Sequence, residues 1–444
     1  MRKGIAWAVA LLALPLTAPG QTPTQLPAPP PIPTQVPLPA PKAAMAGATE
    51  RITLDDAIRL AVQHNHALEA MRTTVLQSQS SEITANLRPN PVLLWDAQFI
   101  PIFQPSQFTA TYIDNSAQFD LGIGYTFERG KKRQHRLRAA QDITTQTRWQ
   151  VSDTERLLTF NVASQFIAAL LAESTLAFAQ QDLKSFQQTV DVSEARHNAG
   201  DMSEGDLLKI KLQLLQFQTD VAQAEVAKVQ ALAGLRQLLG YESVPDQYDV
   251  AGDLEYQPVH NGLDDLRAQA LRTRPDLQAA QQGVIAARSA WQLAIANGKR
   301  DVSANFNYTH VSATNTGSFF ANIQLPIFDR NQGEIARTGY VITQTEQQAA
   351  EAEQQAITDV VDAYYALQMN DQVIRLYQGG YVDDAKQSRE ISEYAYRRGA
   401  ASLLDFLDAE RTYRANQLAY RQALASYMLA LEQMRQAVGT RNLP

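Results

Sequence analysis

Asp405 and Asp408 stand three positions apart at the head of a long run with apolar residues at helical spacing, so a helix carries both carboxylates on one face. Repeated around an axis by several copies of the chain, two acids so placed form rings that gather cations and repel anions. In a single copy they are acids at a helix start, where the dipole favours negative charge. Other chemistry finds no starting material. The chain has no cysteine, and no nucleophile elbow, phosphate loop or cluster of metal ligands can be read in it. His64 and His66 lie on an amphipathic stretch near Asp55 and Asp56 but lack a further ligand at suitable spacing. The reading is of a non-enzyme with no cofactor and no metal site of its own. A formal net charge of −7 excludes a general nucleic-acid binder.

The two acids follow the break Gly399-Ala400-Ala401-Ser402, and that break has an echo. Gly200 and Gly399, Ser203 and Ser402, Asp206 and Asp405, and Gly240 and Gly439 are each 199 positions apart, so a whole supersecondary unit is duplicated. Gly200 and Gly399 are expected to make tight left-handed turns, which cost little only for glycine. Before each turn runs a proline-free helical pattern, from Lys131 to Asn198 and from Asn331 to Arg398. Each run would be roughly 100 Å long at the rise of an α-helix. After each turn comes a shorter returning helix, Ser203 to Leu239 and Ser402 to Val438. The first carries the stripe Leu207, Ile210, Leu214, Phe217, Val221, Ala224, Ala231, Leu235 and Leu238, with Lys228 as its one intruder. Steps of three and four sustained this far specify coiled-coil packing on the long helix. The turns are then the extreme tips of the molecule and its natural contacts with a partner.

Ahead of each long helix the period changes from 3.6 to 2. Leu93, Trp95, Ala97 and Phe99 alternate with polar residues, as do Phe119, Leu121, Ile123, Tyr125 and Phe127. The second half repeats this with Val302, Ala304, Phe306 and Tyr308, then Ala321, Ile323, Leu325 and Ile327. One such hairpin alone reads as a half-buried soluble sheet. Two of them on a secreted chain, each with an aromatic-rich face, match a transmembrane β-barrel wall. Four strands cannot close a barrel, because small closed barrels need about eight, so several subunits must contribute. The charged turns Arg129-Gly130-Lys131 and Asp329-Arg330-Asn331 fit the boundary below that barrel.

Arg2 and Lys3, the apolar run from Ile5 to Leu16 and the small residues to Gly20 read as a signal peptide over 1–20. Residues 21–48 are proline-rich and read as an extended tether. A first repeat is expected over 49–250, with its hairpin at 91–128 and its helical hairpin at 131–239. A second is expected over 251–444, with its hairpin at 301–328 and its helical hairpin at 331–438. No later run of about 18 apolar residues marks a transmembrane helix.

These features together resemble the TolC family of outer-membrane efflux proteins, over about residues 50 to 440. The resemblance rests on the duplicated helix-hairpin-helix order, on the glycine followed by Ser and Asp at each break, and on Arg274-Pro275-Asp276-Leu277 and Leu325-Pro326-Ile327-Phe328-Asp329-Arg330. It implies a mainly α fold, a long α-helical coiled-coil barrel joined to a trimeric 12-stranded β-barrel with four strands per chain. It also implies an outer-membrane location extending into the periplasm, lipid around the barrel, a periplasmic adaptor protein at the tips and an inner-membrane pump of the RND type. Pro326 to Ile335 is most similar to the subgroup exporting cobalt, zinc and cadmium. Within this resemblance Asp405 and Asp408 match the acids of a periplasmic constriction, and Tyr396 and Asp206 match residues that tie neighbouring tip helices closed. Where the family pattern can have arginine two residues after the tip glycine, this chain has Ala401, so Arg397 or Arg398 joins such a latch or none exists. The same duct serving drug efflux or type I protein secretion is the alternative cargo. A secreted coiled-coil scaffold is the alternative of a different class.

Overall fold

A computed structural model describes residues 50–259 and 261–443, so the expected signal peptide and proline-rich tether lie outside the described residues. From Glu50 the chain runs β1 (Glu50–Ile52), α1 (Leu54–His64), α2 (His66–Ala85), β2 (Val92–Gln98), α3 (Ala110–Asn115), β3 (Gln118–Phe127), α4 (Lys132–Asn198) and α5 (Glu204–Leu239). The second half is β4 (Tyr248–Val250), α6 (Leu263–Thr273), α7 (Pro275–Asn297), β5 (Val302–Val311), β6 (Thr314–Ile323), α8 (Gln332–Leu376), α9 (Val382–Arg397) and α10 (Leu403–Val438).

Strands β2, β3, β5 and β6 pair antiparallel in that order, which joins the two hairpins into one sheet and leaves β2 and β6 with one neighbour each among the described residues. The register stacks the apolar positions on one face. Trp95 faces Leu121, Leu121 faces Tyr308, Ile123 faces Phe306, and Phe306 faces Phe319. All of these side chains are exposed, Trp95 by 65% and Phe319 by 73%. An apolar face of this extent left uncovered marks a membrane or partner contact. On the other face Gly122 is held to glycine by the backbone, since a Cβ there would come within 2.8 Å of the Phe306 carbonyl oxygen. One expectation is corrected. Leu325 and Ile327 do not continue β6, which ends at Ile323. Pro326 has no N–H for the ladder, and the Ile327 N–H donates to the Leu325 carbonyl instead, at 2.9 Å.

The first long helix is unbroken, 67 residues in α4. It contains a stretch long and apolar enough to cross a membrane, contrary to the sequence reading. Its side chains Val162, Phe166 and Leu170 are, however, buried in a core shared with Ala57, Leu68, Leu235 and Leu239. The second long run is not continuous as expected. It parts at a wide π-type turn over Tyr377–Tyr381, where Gly380 has φ 113°. Glycine weakens a helix by about 1 kcal/mol per residue, and the pair Gly379-Gly380 places the interruption.

Each half is pinned within itself by a polar side chain. Arg274, only 3% exposed, donates to Asp276 Oδ2 at 2.6 Å, to Asp359 Oδ2 of α8 at 2.8 Å and to the Ala437 carbonyl of α10 at 3.2 Å. Gly439, with φ 83°, lets the chain leave α10 close against it. In the first half Asn65 both caps α2 and donates to the Leu238 carbonyl at 2.9 Å. Lys228, the intruder in the apolar stripe, reaches Asp249 at 2.7 Å and so is satisfied at the rim of β4.

Candidate functional site

The two tip turns are built alike. In the first, the Asp201 N–H donates to the Arg196 carbonyl at 2.8 Å and the Gly200 N–H to the His197 carbonyl at 3.0 Å. In the second, the Ala400 N–H donates to the Ala395 carbonyl at 2.8 Å and the Gly399 N–H to the Tyr396 carbonyl at 2.9 Å. This is the Schellman closure, and it needs the left-handed φ of 82° at Gly200 and 73° at Gly399. Each returning helix then restarts on a serine. Ser203 Oγ accepts from the Asp206 N–H at 3.1 Å, and Ser402 Oγ from the Asp405 N–H at 3.2 Å.

The sequence-predicted acids lie outward on these helix starts. Asp405 closes a reciprocal box, accepting from the Ser402 hydroxyl at 2.7 Å and from its N–H at 3.2 Å. Those bonds hold its carboxyl below the usual range and keep it ionised. Asp408, one turn on, is exposed and ion-paired with Arg411. Asp206 pairs with Lys209 at 3.1 Å, and that bond, followed by the one with Ser203, lowers its pKa.

Tyr396 is buried and does not meet Asp206 within the chain. Its hydroxyl lies 3.4 Å from Ser193 Oγ and 3.9 Å from Met202 Sδ, and its ring stacks on Phe406 with centroids 5.3 Å apart. Within the chain, other contacts tie the two hairpins. Arg196 donates to the Tyr396 carbonyl at 3.0 Å and lies over its ring. Arg397 pairs with Glu393 and reaches Thr189 Oγ1 at 3.4 Å, whereas Arg398 lies over Tyr394. The physical reason is local: Tyr396 sits on the inward side of α9, where an aromatic ring gains more from packing on Phe406 than from crossing to an exposed carboxylate. His64 and His66 belong to no group able to hold a metal among the described residues.

Residues 57–241 and 266–440 match the family described as outer membrane efflux protein, one block in each half. The chain belongs to the outer membrane efflux protein family. The cation efflux system protein CusC of Escherichia coli (strain K12) is 27% identical over 270 residues, and the matched stretch spans 58% of this chain and 58% of that relative. The cobalt-zinc-cadmium resistance protein CzcC of Cupriavidus metallidurans is 25% identical over 401 residues, 88% of each chain. The solved structure of CusC matches with a TM-score of 0.71, covering 90% of this chain and 96% of that one at 19% identity. The fold is that of an outer-membrane efflux channel, a long α-helical barrel continued by a β-barrel to which this chain gives four strands. Its place is the outer membrane, with the helices extending into the periplasm.

Two features of the channel tip escaped the sequence reading. Phe186 stacks on Phe217 at 4.4 Å and on Phe406 at 6.3 Å, continuing the Tyr396 stack across α4, α5 and α10. Behind it Asp182 and Glu410 are 5% and 2% exposed among Arg389, Arg414 and Asp220. The signal was there for Asp182, four residues from both Phe178 and Phe186 and so on their core stripe. Glu410 carried a fainter one, because Ala409 and Tyr413 satisfy the heptad without it.

Proposed function

We propose that three copies of this chain form the exit duct of a tripartite efflux system in the outer membrane, and that its cargo is divalent heavy-metal cations. The observation that carries the reading is the pairing of two ends on one rigid chain. At one end the sheet has an exposed apolar face and two open edges. At the other, Asp405 and Asp408 lie exposed on the first turns of α10, with Asp405 held ionised. In a trimer the four strands become twelve and the acids become two rings, which favour cations over anions. The name of CzcC and its match over 88% of each chain support metal as the cargo.

In this reading the turns at Gly200 and Gly399 receive a periplasmic adaptor protein, and an inner-membrane pump of the RND type supplies the energy. Asp405 and Asp408 form the constriction. Latching within each subunit falls to Arg196 on the Tyr396 carbonyl, while Asp206, whose bonds with Lys209 and Ser203 are local, is available to a neighbouring subunit.

Single-channel recording of the detergent-extracted trimer in planar bilayers tests the duct. Small cation-selective openings are expected, and Asp405→Ala/Asp408→Ala should enlarge them and abolish the selectivity. A folded protein that never forms channels would overturn the duct, and unchanged openings in the double variant would remove these acids from the constriction. Loss of the gene should sensitise cells to cobalt, zinc or cadmium, whereas sensitivity to drugs alone would reassign the cargo.

A further inference from the structure

Just above the tip, a set of buried charges joins the hairpin of the first half to that of the second. Arg414 of α10 has Nε 2.7 Å from Asp182 Oδ2 on α4, and its other arm pairs with Asp220 of α5. Arg389 of α9 donates through Nε to Glu410 Oε2 on α10 at 2.8 Å and through Nη2 to Ser185 Oγ on α4 at 2.8 Å. Glu393 of α9 lies 3.6 Å from Arg389, and Tyr413 and Arg421 of α10 border the same space. Four helices meet here, and any sliding of one hairpin on the other must break these contacts.

The hydrogen-bond inventory of the cluster is incomplete in one particular way. Asp182 Oδ2 and Glu410 Oε1 are both buried and receive no hydrogen bond. The Arg414 Nε beside Asp182 is likewise unbonded, its N–H being out of line despite the short distance. Two buried, facing carboxylates are costly when both are ionised, and a single proton between them turns one into a donor for the other. Burial, and then the charge of Glu410, push the Asp182 carboxyl up to about 7, against the opposing pull of Arg414 and Arg389.

We propose that Asp182 and Glu410 hold one shared proton, and that this proton clamps the α9–α10 hairpin onto the α4–α5 hairpin, so that losing it releases the tip. The clamp's effect on conduction rests on the duct reading above; the proton site does not. The sign follows from linkage. The packed cluster binds a proton that a separated, hydrated Asp182 would give up near its ordinary value, so acid favours the packed state. That preference is lost as pH rises through about 7.

The test uses full-length protein in detergent, titrated across neutral pH. Difference infrared spectra should show a protonated-carboxyl C=O band that disappears as pH rises through about 7 and is missing from Asp182→Asn. Tryptic cleavage at the exposed Arg397 and Arg398, relative to Asp182→Asn at the same pH, should accelerate by up to about tenfold per unit as pH rises toward about 7 and level off above it. Glu410→Gln, a second neutral isostere, should flatten the profile in the same way. In bilayers the wild-type conductance should rise with pH while Asp182→Asn stays at its acid-side level. A band that titrates identically in Asp182→Asn, or cleavage with the same pH profile in wild type and both variants, would overturn the proposal. A titrating band and cleavage profile without channels would overturn the duct and leave the proton clamp standing.

Discussion

The two tips begin from the same turn and diverge in the second turn of the helix that follows it. Gly200 and Gly399 are both left-handed, and Ser203 and Ser402 both cap the returning helix. Six residues after the serine the halves differ: Lys209, the partner of Asp206, stands where the second half has Asp408. The first tip therefore neutralises its acid locally, whereas the second leaves Asp405 bonded only to Ser402 and pairs its further acid, Asp408, with Arg411. Backbone geometry is duplicated while electrostatics is not, and the proposed role of α10 in lining a cation path rests on that difference. A second divergence lies higher. The helix-opening residues Lys131 and Asn331, both left-handed, are 200 apart, whereas the tip glycines are 199 apart. The second half is thus one residue shorter between these points, which rotates the downstream helix by about 100°. The wide turn at Tyr377–Tyr381 falls within that interval. In the first half the matching stretch is continuous α4, and it buries Phe178 and Asp182.

The harshest way to break the comparison is to remove what both tips share. Phe406, fully buried between Tyr396 and Phe186, packs on both halves, and Phe406→Ala should cost about 3–5 kcal/mol of tip stability, measured as denaturant-dependent protease resistance of that region. Gly200→Ala and Gly399→Ala should each cost about 1–2 kcal/mol by the same assay, equally in both halves, because the left-handed φ is shared.

Ser402→Ala and Ser203→Ala separate the halves. Each loses about 1 kcal/mol of capping, and the loss should be larger at Ser402, where the bond is reciprocated by Asp405. Asp405 also carries a pH signature. Its folded pKa is lowered, so its contribution is present above 3.8 and is lost as pH falls through the folded value. That acid-side dependence should vanish in Ser402→Ala when unfolding is followed below pH 3.8. The mildest change is Lys209→Asp, which gives the first tip the double acid of the second. It should leave stability within about 0.5 kcal/mol of wild type while raising the cation-to-anion permeability ratio in bilayers. An unchanged ratio would place α5 away from the conducting path.

Much of the architecture was legible because it is written in periodicity. Alternation of two marked Trp95, Leu121 and Phe306 for one face of a sheet, and steps of three and four marked Leu207, Ile210 and Phe217 for a helical seam. The left-handed turns were legible because only glycine enters them cheaply. The latch was not. Whether Tyr396 reaches Asp206 or turns inward depends on what lies behind it, and Phe406 and Ser193 lie behind it.

By itself, then, the sequence determined the order of elements, the duplication, the turn positions and the presence of acids on one face of α10, because each follows from local backbone preference or from spacing along one chain. Only the tertiary structure decided how those pieces meet. It joined the two hairpins into one sheet, interrupted the second long helix, turned Tyr396 into the core and brought Asp182 within reach of Glu410 across more than half the chain. A charge acquires an unusual proton affinity from its burial and its neighbours, and neither is a property of its position in the sequence.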